Sequence, residues 1–435
     1  MQKLSTQSYK GSRDFFPEDM EVRNYIFDVF RDVCLSYGFQ EYDGPFIEPF
    51  ELYAAKTGQE IVNEQLYSFT DRGDRKVAIR PEMTPTLARM VAQKQKELIK
   101  PIRWFSIPNL WRYEKPQKGR LREHYQLNVD VFGVDAVTAD VEIVSIIVDI
   151  LLNFGADDSM FKIKVGNRKL IEEFFEKIAV NEETRSPIMK LIDRKLKIGD
   201  EEFVAQLEEL QLSKNQIEEI NNIFNNSTEF LNQMKASGSK GAAEVLLFLE
   251  LLENVEKGKY VEYSPTIIRG LDYYTGNVFE VFDLFPENNR AIAGGGRYND
   301  LISIFSNESL PGIGFGMGDV TARNFLENWD LLPDFRSNVD FLVTVWPSDD
   351  FQNYAVSSQI ADMLRVLGMN TICWAEIDTK IDKQLKYADK NKVPFAIIIG
   401  EEELQNETVT IKDMNKNSQK TVSVEKLEAE IQKLI

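Results

Sequence analysis

The sequence predicts an α+β protein: an antiparallel sheet with a helix ahead of it and a helical domain inserted into it, followed by a smaller α/β domain. Three observations carry that prediction. Strand-like runs up to residue 133 follow one another as neighbours instead of alternating with helices. From residue 165 to 258 the chain turns to Lys/Glu-rich helical periodicity, as in "NRKLIEEFFEKI". Beyond residue 339, "VDFLVTVW", "NTICWAEI" and "FAIIIGEE" alternate with helical stretches, the rhythm of parallel strands joined by crossovers.

The elements follow in order. Apolar residues recur at helical spacing from 19 to 37 and stop at Gly38, a helix C-terminal signal. "FQEYDGPFIEPF" reads as a strand whose Pro45 and Pro49 place it at an edge or terminus. "KVAIRPEMTPTLARMVAQ" reads as a strand that passes through a Pro-containing turn into a helix. "IRWFSIPNLWRYE" and "HYQLNVDVFG" read as two strands separated by a basic loop, and "IIRGLDYYTGNVFE" as a buried strand resuming the sheet after the helical insertion. "LLPDFRSN" reads as a linker. The expected domains are therefore 1–330, containing the 165–258 insertion, and 339–435.

Composition narrows the function. The N-terminus lacks the apolar centre of a secretory signal, and no stretch approaches the 18 or so uncharged apolar residues of a membrane span. Two distant cysteines, Cys34 and Cys373, argue against a disulfide framework and for a reducing, cytoplasmic compartment. A single histidine, His124, rules out a zinc site of familiar spacing, so any metal is expected to be Mg²⁺ held by carboxylate and phosphate. The formal net charge of −19 argues against indiscriminate nucleic-acid binding. "EKPQKGRLRE" is nonetheless a local basic patch, and Lys383, Lys386 and Lys390 form a basic stripe at helical spacing. Either stripe or patch is by itself an ordinary solvated face, and each is also a means of touching a nucleic-acid backbone.

Several segments carry candidate chemistry. "GIGFGMGD" has four alternating glycines but no GxGxxG, and the chain has no GxxxxGK[ST] loop, so the usual dinucleotide and phosphate loops are disfavoured. Alternate glycines strip one strand face, which lets a flat ligand or a close helix lie against the backbone. Arg112 and Glu114, two apart on an expected strand, share a face; a guanidinium there can grip phosphate and a carboxylate can accept from an adenine amine. Glu82 and Thr84 sit at a strand-to-helix turn, and Gln126 and Asp130 share a strand face. Grouped together these acceptors suit a substrate amino group and a ring N–H; apart, each is an ordinary satisfied polar group. Arg269, Asp272, Tyr273 and Tyr274 put charge into a stretch that otherwise reads as buried. That is tolerable as an internal ion pair or against a charged ligand.

Together these segments resemble the class II aminoacyl-tRNA synthetases and, more narrowly, the histidyl-tRNA synthetase family, over nearly the whole chain. "KGSRDFFPEDM" with the helix, strand and Pro45 resembles the first class motif, "RYEKPQKGRLREHYQ" the second, and "RGLDYYTGNVFE" with "AGGGRYNDL" two signatures of the histidyl enzymes. The resemblance implies an antiparallel-sheet catalytic domain and a C-terminal anticodon-binding domain. It implies L-histidine, ATP with Mg²⁺ and tRNA(His) as substrates, and a homodimer built on the first motif.

By the same resemblance Arg269 and Arg112 clamp the ATP α-phosphate, Arg269 also meeting the histidine carboxylate. Glu82, Thr84 and Gln126 hold the amino end of histidine and Met83 is a further histidine contact, while Asp130, Tyr273, Tyr274 and Tyr298 form the ring pocket. Glu114 meets adenine, with Arg120 or Arg122 near the triphosphate. The third class motif's arginine is replaced by Thr321, with Arg323 two residues on as its expected substitute. A non-catalytic regulatory subunit that partners ATP phosphoribosyltransferase is the competing reading, and a different synthetase of the same subgroup a third.

Overall fold

The structure, a computed structural model, describes residues 3–55, 61–117, 119–268, 273–288, 291–306, 309–335, 337–349 and 351–434, the side chains of Leu196 and Lys197 apart. The chain divides into two compact units, Met1–Leu332 and Pro333–Ile435.

The first unit opens with the helix Pro17–Ser36. Pro17 begins it, Glu18 and Asp19 lie in its positive first turn, and Gly38 just beyond its end takes a φ of +75° that suits glycine. Its buried residues Val22, Ile26, Phe30 and Val33 fall on one face at helical spacing. The stretch expected as one strand over 39–50 is two. Gln40–Glu41 pairs in parallel with Ile102–Ser106 at the edge of the main sheet, whereas Ile47–Pro49 belongs to a separate three-stranded sheet with Ser68–Thr70 and Lys76–Ile79. The Asp43–Gly44–Pro45 corner between them ends one ladder before the other begins, since proline cannot donate to it.

The main sheet has nine strands among the described residues, eight of them in one continuous order. They run Gln40–Glu41, Ile102–Ser106, Glu123–Phe132, Gly312–Gly318, Ala291–Arg297, Asn277–Asp283, Phe161–Asn167 and Val261–Tyr263; Asn109–Trp111 also pairs with Glu123–Phe132. Pairing is antiparallel except at the two ends of that order. The largely buried helix Thr138–Asn153 packs beside this sheet. The expected long strand over 267–280 starts only at Asn277, and residues 273–276 precede it as irregular backbone.

Six helices from Arg168–Lys177 to Lys240–Asn254 form the insertion, with a hydrophobic core of their own around Phe174, Ile188, Phe203 and Ile220. The chain leaves the sheet at Asn167, whose side chain caps the first helix by accepting from Leu170 N at 2.9 Å. It returns at Val261–Tyr263, paired beside the strand it left.

In the second unit the strands Phe341–Val343, Thr371–Cys373 and Phe395–Ile398 are parallel. Two antiparallel strands, Thr408–Asp413 and Ser418–Ser423, extend the sheet beyond them.

Candidate active site

The cleft of the first unit, about 260 Å³, is lined, among the described residues, by seven separate stretches of sequence. Its floor is the glycine strand. Gly294 faces Gly316 and Gly296 faces Gly314 across the ladder, so this part of the sheet presents backbone with no side chains. On the other side Gly314 pairs with Asp130 and Gly316 with Asn128. A Cβ at Gly314 would collide with the Asp130 carboxylate, and one at Gly316 would lie 2.6 Å from Gln126 Nε2. The alternate glycines thus make room for the polar side chains of the neighbouring strand.

Gln126, Asn128 and Asp130 project from Glu123–Phe132 onto that floor at the two-residue repeat of a strand, and all three line the cleft. Asp130 is buried and accepts from the Tyr298 hydroxyl. Burial pushes its pKa up to about 7, opposed in part by that hydrogen bond. Tyr273 packs against Tyr274, ring centres 4.7 Å apart, and edge-on to Tyr298 at 5.9 Å. These three tyrosines close the apolar side of the cleft.

The opposite wall is the Arg80–Pro85 turn. Buried Arg80 fixes it, donating through Nε to the Asn109 carbonyl at 2.9 Å and through Nη1 to Asp43 and the Gly44 carbonyl, both at 2.8 Å. Glu82 and Thr84 reach the cleft from this turn, and Arg112 reaches it beside them, its Nε donating to the Pro81 carbonyl at 2.9 Å. Met83, expected as a histidine contact, is fully buried behind the turn and does not line the cleft.

The basic loop departs from its expected geometry. The strand ends at Trp111, so Arg112 and Glu114 do not share a strand face. Arg112 lines the cleft, while Glu114 is buried in an ion pair with Arg120. Arg122 sits 4.0 Å from the Tyr113 ring centre, with Nη1 donating to the Tyr9 hydroxyl at 3.0 Å and Nε to the Glu114 carbonyl at 3.1 Å. Glu114, Arg120 and Arg122 are not among the cleft-lining side chains. Neither is Arg323, which pairs with Asp19 at 2.9 Å and Glu327 at 2.7 Å. The Thr321 hydroxyl donates to the carbonyls of Ile292 and Gly318. Arg269 and Asp272 lie outside the described residues.

Half-buried His124 is held neutral: burial first, then the positive charges of Arg112, Arg13 and Arg120, push its pKa down to about 3. Among the described residues, no three histidine, cysteine or carboxylate side chains gather where they could hold a metal. Sequence reasoning missed Asn128, Ile61, Phe315 and the part of Gly294. For Asn128 the signal was present, since it shares the strand parity of Gln126 and Asp130.

A family model described as histidyl-tRNA synthetase matches residues 11–319, and one described as anticodon binding domain matches residues 342–434. The chain is similar to the histidine–tRNA ligase of Leptospira biflexa, 45% identical over 438 residues with 99% of each chain covered. It is similar also to that of Haloarcula marismortui, 37% identical over 420 residues with 95% of each covered. Among solved structures, it resembles the histidyl-tRNA synthetase of Nostoc sp. PCC 7120, with a TM-score of 0.82 at 24% identity and 100% of each chain covered.

Proposed function

The chain belongs to the histidyl-tRNA synthetase family, and from that premise we propose how its cleft carries out the ligation of histidine to tRNA. One observation supports the assignment of the site. Side chains from 82–84, 112, 126–130 and 273–298, far apart in sequence, converge on a cleft small enough for an amino acid.

In the first step a histidine carboxylate oxygen attacks the α-phosphorus of ATP, and the bond to the β-phosphate oxygen breaks to release pyrophosphate. A carboxylate nucleophile needs no general base. What it needs is positive charge where the non-bridging oxygens gain negative charge, and Arg112, placed by Pro81, supplies it. The sequence resemblance assigns the matching role to Arg269. Glu82, Thr84 and Gln126 take the α-ammonium. Asp130, with Tyr298 behind it, takes the imidazole and Tyr273 and Tyr274 enclose it. A pocket that pairs both polar ends of histidine rejects amino acids that would leave those buried groups unpaired. In the second step the terminal ribose hydroxyl of the tRNA attacks the activated carbonyl and AMP departs.

The nucleotide's adenine falls to Glu114, which in the unliganded protein is paired with Arg120; the adenine amine would exchange with that guanidinium. Arg120 then turns to the triphosphate. Mg²⁺ would come with the phosphates of ATP, whose negative charge it would offset. The 333–435 unit binds the tRNA, and its match to an anticodon-binding model favours the ligase over the regulatory-subunit reading. Two copies pair through the small sheet, where Phe46, Ile47 and Phe69 expose apolar surface. The protein works in the cytoplasm, where its two free cysteines stay reduced.

ATP–pyrophosphate exchange with each of the twenty amino acids tests the reading. Exchange with histidine alone is expected, and Arg269→Ala is expected to abolish it in a folded protein. No exchange with any amino acid would return the chain to the regulatory alternative.

A further inference from the structure

Asn128 stands between two side chains assigned to histidine, yet no role has been given to it. It is buried, lines the cleft, and pairs across the ladder with Gly316 on one side and Ser106 on the other. Its Nδ2 donates to the backbone carbonyl of Gln126 at 3.0 Å. A carbonyl oxygen can only accept, so that bond fixes which end of the amide is nitrogen and turns Oδ1 the other way. Among the described residues nothing donates to Oδ1, and Gly316 beside it carries no side chain that could cover it.

Strand geometry sets the spacing. At about 3.3 Å per residue, Gln126 and Asp130 lie roughly 13 Å apart along the backbone with Asn128 midway. A ligand that reaches from one to the other must pass over Asn128. Histidine presents N–H groups at both of its polar ends, and an acceptor held at the midpoint of the strand is placed to take one of them.

We propose that Asn128 is a histidine-binding residue whose Oδ1 accepts a hydrogen bond from an N–H of the bound amino acid, completing a ladder of acceptors with Gln126 and Asp130. The proposal rests on the cleft being the histidine site. Leucine at this position keeps the volume and removes the acceptor; aspartate keeps an acceptor of equal length, loses the donor to Gln126 and, when ionised, adds a negative charge.

The experiment is ATP–pyrophosphate exchange at varied histidine and varied ATP for the wild-type protein, Asn128→Leu and Asn128→Asp, with thermal melting of each. Asn128→Leu is expected to raise the histidine KM about tenfold or more while the ATP KM changes less than about twofold. Asn128→Asp is expected to keep the histidine KM within about threefold of wild type. Equal losses in the two variants, or an unchanged histidine KM in Asn128→Leu, would overturn the proposal, because the amide would then matter only through its bond to the Gln126 carbonyl or not at all. Wild-type protein that exchanges with no amino acid overturns instead the assignment of the cleft, and this proposal with it.

Discussion

Arg112 Nε donates to the carbonyl of Pro81 at 2.9 Å, which ties a guanidinium from one segment to the backbone of the turn that carries Glu82 and Thr84. The cation proposed for the phosphate and the acceptors proposed for the amino group therefore hold a fixed spacing before any substrate arrives, and such preorganisation is what makes charge stabilisation effective. Arg112→Ala is expected to lower the rate of histidyl-adenylate formation by about 10²–10³-fold. Arg112→Lys should recover little of it, because an ammonium keeps the charge but cannot both hold Pro81 and present a planar fork. Single-turnover adenylation with melting controls would measure both.

Gly314 is a packing requirement of the site. A methyl group there would strike the Asp130 carboxylate and lie 2.5 Å from the Val129 carbonyl oxygen, both on a strand buried in the middle of the sheet. Gly314→Ala is expected to cost about 1–3 kcal/mol of stability by overpacking and to raise the histidine KM at least about tenfold by displacing Asp130. Denaturation midpoints and pyrophosphate exchange on the same preparation separate the two effects.

Arg297, within the "GGGRY" signature, does not line the cleft. It pairs with Asp140, which is 1% exposed, and donates to the carbonyls of Val134 and Ala136 at 3.0 and 3.1 Å. Asn277 also donates to Asp140, at 3.0 Å. Together they hold the start of the Thr138–Asn153 helix against the strands that form the cleft floor. Removing one partner strands the other's buried charge, so Asp140→Ala or Arg297→Ala is expected to destabilise by about 3–5 kcal/mol. The double substitution to apolar residues of similar volume should cost less than the sum, which a double-mutant cycle in urea would detect.

What could be read in the sequence follows from periodicity, and what could not follows from backbone breaks. Gln126 and Asp130 were identifiable as partners because a strand repeats every two residues, and the same rule includes Asn128. Glycines 312 to 318 were readable as a stripped face, although only the ladder shows that the space serves Asp130 and Gln126. Arg112 and Glu114 were misplaced relative to one another because the strand ends at Trp111, where Arg112 N instead donates to the Arg122 carbonyl. Arg323 looked available for phosphate because its partners, Asp19 and Glu327, are 304 and four residues away, and the first of these no local pattern could show. The last two strands of the C-terminal sheet were also passed over, although "TVTIKD" alternates as a strand should.

The buried carboxyl of Asp130 predicts a pH effect of definite sign. Its pKa is about 7 in the folded protein, against about 3.9 in an unfolded chain. Between those values the folded state retains a proton that the unfolded state has released. Folded protein binds more protons there, so this group's contribution to stability falls as pH rises from about 4 to 7. His124 acts oppositely: its lowered pKa makes its contribution fall as pH drops below about 6.5. Asp130→Asn removes the first effect and leaves the second. The melting temperature of the variant minus that of wild type should therefore rise between pH 5 and pH 8, and a flat difference would show that Asp130 is not held protonated.

Lys383, Lys386 and Lys390 lie exposed on the helix Ile381–Lys390, with exposed Tyr387 among them; Lys383 is only loosely engaged with Glu376 at 3.8 Å. On a chain of net charge −19, a lysine row that approaches tRNA must act locally, since the protein's overall field repels a polyanion. Phosphate contacts of this kind release counterions, so their loss weakens binding and also flattens its dependence on salt. Replacing all three lysines with glutamine is expected to lower kcat/KM for tRNA about tenfold or more, and to reduce the slope of log affinity against log salt by about two to three if each touches a phosphate. Histidine-dependent pyrophosphate exchange, which needs no tRNA, should stay at the wild-type level. Reduced aminoacylation with an unchanged salt slope would mean that the lysines support the helix and do not touch the phosphate backbone; an unchanged rate would leave them a solvated face.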